Sequence, residues 1–274
     1  MSQSKEPASS NGFRTFGARA AGVWPRMAQK CQILSFGTVH SAASFALFAV
    51  RERLDSLPSL PNGLVMSDDA LMTLVMTIVA ADDAAVFGML ARDPALARTH
   101  FKEGATRQAA RIYQIDEIGH YIYAGDTALH LAAAAYRQDT ARQLLALGAS
   151  VHATNRRGAE PLHYAADGVP GSRAWDPAAQ AATIVCLIKA GADPNARDKG
   201  GATPLHRAVR TRCSAAVRAL LDRGADPRRK TRRGSTPLLL AAQNTGRGGS
   251  GSPEAKAQQE QIVRLLQERI NRRI

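Results

Sequence analysis

The sequence contains little cysteine and few aromatic residues. Its three cysteines, Cys31, Cys186 and Cys213, lie far apart and form no CxxC pair. This spacing argues against a disulfide framework and against a structural zinc site, and free thiols fit a reducing, cytoplasmic compartment. Phe, Trp and Tyr together make up 5% of the chain, a level that suits a fold of closely packed Ala- and Leu-rich helices.

Acidic residues are also scarce relative to basic ones. The 274 residues include 36 Lys and Arg but 23 Asp and Glu, which gives a formal net charge of +13. A basic excess of this size points to an acidic partner, such as nucleic acid, an anionic membrane or an acidic protein. Net charge carries no information about the fold.

The first 65 residues differ from the rest, because no acid occurs between Glu6 and Glu52. We expect residues 1–65 to be a basic, disordered leader, or to lie upstream of the true start, with the folded part beginning near Met66. An export or membrane segment is the less favoured alternative, because polar residues interrupt the only apolar run there. Deletion of residues 1–60 should leave the thermal stability unchanged.

Two short themes repeat along the second half of the chain. The first reads Gly-x-x-x-Leu-His or a close variant, and its glycines at 125, 158, 201 and 234 lie 33, 43 and 33 residues apart. The second reads Leu-Leu-x-x-Gly-Ala or Leu-Ile-x-x-Gly-Ala and occupies 144–149, 187–192 and 220–225. Because both themes keep one phase, this part of the chain consists of internal repeats.

The period near 33 and the Thr-Pro-Leu-His-x-Ala theme resemble those of ankyrin repeats. The resemblance covers residues 120–270 and, more weakly, 67–100. It implies an all-α ankyrin-repeat solenoid of helix-turn-helix repeats with β-hairpin fingers, with about four repeats and N-terminal capping helices. The predicted segments are a capping helix pair over 66–98, a long connecting segment over 99–124, and repeats over 125–157, 158–200, 201–233 and 234–274.

The unequal spacings place two insertions between the first and second helices of their repeats. Ten extra residues fall at 167–176 and about twelve around 244–258, so both loops are expected at the same edge. Trp175 lies in the first insertion. A large aromatic side chain on a projecting loop is either a binding anchor or a cover for the repeat edge, and the sequence leaves both alternatives open.

Candidate chemistry is sparse. The resemblance implies that His130, His163 and His206 are buried hydrogen-bonding residues that link neighbouring repeats, and their separation excludes shared coordination of one zinc ion. No Ser-His-Asp arrangement, carboxylate pair or nucleophilic cysteine can be assigned. We therefore predict no catalytic, cofactor-binding or metal site, and a protein that is not an enzyme.

The residues after each second helix form the fingers, and these are basic. The aligned fingers are 151–157, 194–200 and 227–233, and the last contains five basic residues and no acid. We predict that they form a partner-binding surface, called here the basic ridge, against the alternative of a merely solvated charged face. Its members are Arg156, Arg157, Arg197, Lys199, Arg228, Arg229, Lys230, Arg232 and Arg233, and we expect Arg207, Arg210 and Arg212 to continue it.

These features predict a monomeric intracellular adaptor or regulator that binds another protein, an acidic one, through the concave face of fingers and first helices. One alternative is an anionic polymer or phosphorylated ligand at the Arg228–Arg233 finger. A second is an enzyme that uses the 99–124 segment, whose His120–Tyr123 stretch either holds a ligand or packs on the cap. Nucleic acid is disfavoured because the fingers lack stacking aromatics, and a membrane is disfavoured as well.

Overall fold

A computed structural model describes residues 66–172, 175–243 and 253–272. The predicted leader, with the hypotheses about it, lies outside this part of the chain. Ten α-helices occur within the described residues: α1 Met66–Val79, α2 Asp83–Arg92, α3 Ala128–Ala134, α4 Gln138–Ala146, α5 Pro161–Ala166, α6 Pro177–Lys189, α7 Pro204–Arg210, α8 Ser214–Asp222, α9 Pro237–Ala242 and α10 Pro253–Asn271. The predicted all-α class is confirmed.

Strand structure is confined, in the described residues, to the connecting segment between α2 and α3. There β1 (Gln114–Ile115) pairs antiparallel with β2 (His120–Tyr121). Two 3-10 helices, Pro94–Arg98 and Arg111–Tyr113, complete this segment. The fingers of the repeats are hairpin-like turns without strands.

Helices α3, α5 and α7 begin at a capping residue followed three positions later by the motif histidine. In α3 the Nδ1 of His130 accepts a hydrogen bond from the backbone N–H of Thr127 at 3.1 Å. Its proton therefore sits on Nε2, which donates to the carbonyl oxygen of Ala159 in the next repeat at 3.1 Å. His163 and His206 make the equivalent bonds to the following repeat. The predicted linking role of these histidines is confirmed.

The helices pack in two layers, because each helix contacts its counterparts in the neighbouring repeats. The first helices α1, α3, α5, α7 and α9 form one layer, and the second helices α2, α4, α6, α8 and α10 form the other. Fully buried leucines such as Leu129 and Leu162 in the first layer belong to the same hydrophobic core as Leu144 and Leu187 in the second. Burial of each such side chain stabilises the fold by about 2 kcal/mol.

The insertion at 167–176 separates α5, which ends at Ala166, from α6, which begins at Pro177. Its start is anchored by the Asp167 carbonyl oxygen, which accepts from the Tyr136 hydroxyl at 2.7 Å and from the Gln180 amide at 3.1 Å. The second predicted insertion lies mostly outside the described residues. Helix α10 has 19 residues whereas α8 has nine, so extra residues there lengthen the helix.

Candidate interaction surface

Each finger is closed by a side chain that caps its turn. In the second finger, Asp198 Oδ1 accepts from the backbone N–H groups of Gly200 at 2.8 Å and Ala202 at 2.9 Å. In the first finger, Asn155 Oδ1 accepts from the backbone N–H groups of Arg157 at 2.9 Å and Ala159 at 3.1 Å. The finger carboxylate of Asp198 is therefore turned towards backbone amides.

Neighbouring fingers are joined by backbone hydrogen bonds in a regular register. The N–H of Lys199 donates to the carbonyl oxygen of Arg157 at 2.9 Å, and the N–H of Arg232 donates to that of Gly200 at 2.9 Å. This contact requires glycine at 201, because the residue has φ +76° and a Cβ there would lie 2.8 Å from the Arg232 nitrogen. The register places Arg156, Lys199 and Arg232 at equivalent positions of consecutive fingers.

All nine side chains of the basic ridge are exposed. Several of them are held by carbonyl oxygens: Arg197 donates to Lys230 at 2.7 Å, and Arg228 donates to Ile270 at 3.0 Å. Arg229 lies 3.7 Å from the Asp226 carboxylate. A carbonyl oxygen orients a guanidinium group without cancelling its charge, so the ridge keeps most of its positive charge.

The connecting segment 99–124 forms an elongated first finger. Two backbone hydrogen bonds join its arms. The N–H of Phe101 donates to the carbonyl oxygen of Asp126 at 2.8 Å, and the N–H of Ala105 donates to that of Ile122 at 2.7 Å. The His120 ring stacks on Tyr164 of α5, with ring centroids 4.8 Å apart. The hairpin thus packs onto the second repeat.

A buried polar network fixes this hairpin. The Tyr164 hydroxyl donates to Asp126 Oδ2 at 2.8 Å, and the Asn155 amide donates to Asp126 Oδ1 at 2.9 Å. Burial raises the pKa of Tyr164 well above its usual value, with the Asp126 charge adding to the effect. The phenol therefore stays protonated and remains a donor.

A groove of about 290 Å³ lies between the hairpin and the second and third repeats. We call it the hairpin groove. Its walls come from residues 118–121, Tyr123, Asn155, Arg157, Tyr164, residues 167–169, Asp198, Arg207, Arg210 and Thr211. The sequence singled out His120–Tyr123, but no local signal indicated that this stretch meets α7 and the 167–176 insertion.

The inner part of the hairpin groove carries an ion-pair cluster. Arg207 donates to Asp167 at 2.9 Å and to Asp198 at 3.3 Å, and Arg210 lies 3.7 Å from Asp167. Burial alone would raise the pKa of Asp167, but Arg207, with smaller contributions from His120 and Arg210, holds it below its usual value. Asp167 is therefore ionised at neutral pH.

Comparison with known families agrees with this architecture. The family model described as "Ankyrin repeats (many copies)" matches residues 187–241, and the model "Ankyrin repeat" matches residues 124–156. The chain contains an ankyrin-repeat domain. A search of curated proteins finds no match. Ankyrin repeats generally mediate protein–protein interaction, and proteins built from them are typically non-enzymatic.

The expectation that arginines of the third ankyrin repeat continue the basic ridge is wrong for Arg207 and Arg212, whereas the side chain of Arg210 is 38% exposed. Arg207 is 8% exposed and belongs to the ion-pair cluster. Arg212 is fully buried and donates to the carbonyl oxygens of Ala241 and Gln243 in the fourth repeat. Arg212 has φ +63° in the turn after α7, and its guanidinium group caps the carbonyl end of α9.

Trp175 covers the edge of the second ankyrin repeat. Its indole N–H donates to Gln180 Oε1 at 3.0 Å, and its ring is half-buried against the core. Of the two alternatives, a binding anchor and a cover for the repeat edge, this geometry corresponds to the cover.

Residues 66–172, 175–243 and 253–272 contain no group of three or more His, Cys, Asp and Glu side chains that is placed to hold a metal ion. No helix within the same ranges is both long and apolar enough to cross a membrane.

Proposed function

We propose that this ankyrin-repeat domain is a monomeric adaptor that binds an acidic protein through the basic ridge and the adjoining first helices. The observation that carries the proposal is the row of nine exposed basic side chains on three hydrogen-bonded fingers. A charged surface on a rigid scaffold steers an oppositely charged partner and discriminates against others.

The finger acids do little to neutralise this row. Asp198 faces backbone amides and Arg207, and its side chain is 14% exposed. No side-chain hydrogen bond or ion pair is seen among the described residues for Lys199, Lys230, Arg232 and Arg233. Exposed arginines and lysines of this kind remain available to carboxylates of a partner.

The fixed positions of several guanidinium groups favour a protein over a polymer. Arg197 and Arg228 are each oriented by a carbonyl oxygen, which lowers the entropic cost of pairing with a matching carboxylate. A flexible polyanion gains less from such fixed spacing, because its own chain must still be ordered on binding. The buried thiols of Cys186 and Cys213 are unpaired, which supports a reducing compartment such as the cytoplasm.

The test is a comparative pull-down with the full chain as bait. The ridge variant reverses Arg229, Lys230, Arg232 and Arg233 to Glu. The control variant reverses four exposed basic residues of the second-helix layer and its ends: Lys189, Arg218, Arg223 and Arg264. Both variants have the same net charge, so a difference between them reports position and not total charge.

We expect the wild type and the control to retain the same stoichiometric acidic protein, and the ridge variant to lose it while its thermal stability is unchanged. Equal retention by both variants would refute the ridge. Replacement of that protein by many polyanions, with a steep salt dependence, would instead establish the polymer alternative.

A further inference from the structure

We propose that the hairpin groove binds a short acidic segment of the partner, in which an Asp or Glu carboxylate lies between Arg157 and Arg210 and a neighbouring apolar side chain packs between Ile118 and Val169. This inference rests on the proposed function, because it specifies which part of an acidic protein is recognised. It assigns a second surface, separate from the last finger that carries most of the ridge charge.

The walls of the groove are unusual for a repeat array. One wall is the hairpin of the connecting segment, and another is the start of the 167–176 insertion. Neither belongs to the repeated unit, since the repeats at 125–157 and 201–233 keep the 33-residue period and carry no such insertion. Among the described residues, both additions line the groove together with Tyr164 of α5.

Charge in the groove is sorted by depth. The acids Asp167 and Asp198 are 13% and 14% exposed; both are paired with Arg207, and Asp167 also lies 3.7 Å from Arg210. Nearer the mouth, Arg157 is exposed and the Arg210 side chain is 38% exposed. Both guanidinium groups line the groove, so a carboxylate that enters it meets Arg157 and competes with Asp167 for Arg210, whereas a larger anion that reached the floor would meet two carboxylates.

Apolar surface lies beside these charges. Val169 is 43% exposed, which few large apolar side chains of the described residues are. Ile118 lines the same groove and is half-buried. One aliphatic side chain of a bound segment would remove the apolar surface of Ile118 and Val169 from contact with water.

Size and rigidity point to a peptide segment. A volume of about 290 Å³ is at the lower end for ligand sites and accommodates one or two side chains. The walls are preformed, because His120 stacks on Tyr164 and the Arg157 guanidinium donates to the Tyr123 hydroxyl at 3.0 Å. A preformed site saves the ordering cost that a short segment could not offset.

The experiment selects ligands from a display library of random dodecapeptides on the full chain. We expect enriched sequences to share an Asp or Glu next to a large apolar residue. One enriched peptide is then synthesised, and its affinity is measured by fluorescence anisotropy for each variant. The groove variant Arg210→Gln is compared with Arg218→Gln, a matched change on the exposed surface of α8.

Arg210→Gln should raise the Kd by about tenfold or more, whereas Arg218→Gln should leave it within about twofold. Val169→Asp and Val169→Asn form a second pair, of equal size and different charge, on an exposed loop residue whose change does not threaten folding. Because the introduced carboxylate repels the ligand, Val169→Asp should weaken binding roughly tenfold more than Val169→Asn. A library without acidic enrichment, or equal Kd values within each pair, would overturn the inference.

The ridge variant separates this inference from the proposed function. It should bind the selected peptide with a Kd within about threefold of the wild type, since its four changes lie in the last finger. If the ridge variant loses the peptide while the groove variants keep it, the ligand binds the ridge. The groove assignment then fails and the proposed function stands. If the groove variants lose the peptide while the ridge variant keeps every protein partner, the proposed function fails and the groove stands.

Discussion

The motif histidines should make the stability of the fold depend on pH in a specific window. His163 is buried, and its pKa is lowered from 6.5 to about 4, first by burial and then by the nearby charge of Arg207. Burial also lowers the pKa of His130 and His206. Each imidazole is therefore neutral in the folded chain at pH values where it is already protonated in the unfolded chain.

The sign of the effect follows from proton binding. Below pH 6.5 the unfolded chain takes up a proton at each of these positions, whereas folded His163 does so only near pH 4. Stability is therefore complete above pH 6.5 and is lost as the pH falls towards 4. For His163 alone the loss between pH 7.5 and pH 5 is about 2 kcal/mol, and His130 and His206 add losses of the same sign.

The assay is urea unfolding followed by circular dichroism at a series of pH values. His163→Gln should flatten the pH dependence by up to about 1.4 kcal/mol per pH unit, because the amide offers similar hydrogen bonds but does not titrate. His100→Gln, at an exposed position, is the control. An NMR titration that places the pKa of His163 near 6.5 in the folded chain, or an unchanged slope in His163→Gln, would refute the reasoning.

Two further predictions concern packing between repeats. Asp167→Asn should lower the free energy of unfolding by about 2 kcal/mol, since it leaves buried Arg207 with one carboxylate. The control Asp139→Asn breaks an exposed ion pair and should lower the free energy of unfolding by less than about 0.5 kcal/mol. Equal losses for the two variants in urea melts would contradict this prediction. Gly201→Ala should lower the free energy of unfolding by at least about 1 kcal/mol. The control Gly88→Ala lies in helix α2 with open space around it and should not destabilise the fold. Similar Tm values for the two variants would show that the contact between fingers tolerates a Cβ at position 201.

Interaction residues divide into those that were predictable and those that were not. Arg156, Lys199 and Arg232 were assigned to one row because the period aligns them, and the backbone bonds between fingers have the same register. Arg207 and Arg212 carry the same charge within the same repeat but point inward. Nothing local distinguishes an exposed arginine from one that pairs with a carboxylate forty residues away, such as Asp167.

The sequence by itself determined the repeat architecture. Helix ends depend on residues that are close in sequence, such as proline at the first helical position and glycine after the last. Because these local signals recur in each repeat, the sequence identifies the repeated unit several times. Only the tertiary structure decided where the hairpin of segment 99–124 lies, that Trp175 covers an edge, and that His120 and Arg207 line one groove. Those contacts join segments of different repeats and insertions, and they depend on packing between distant residues, which no periodic pattern encodes.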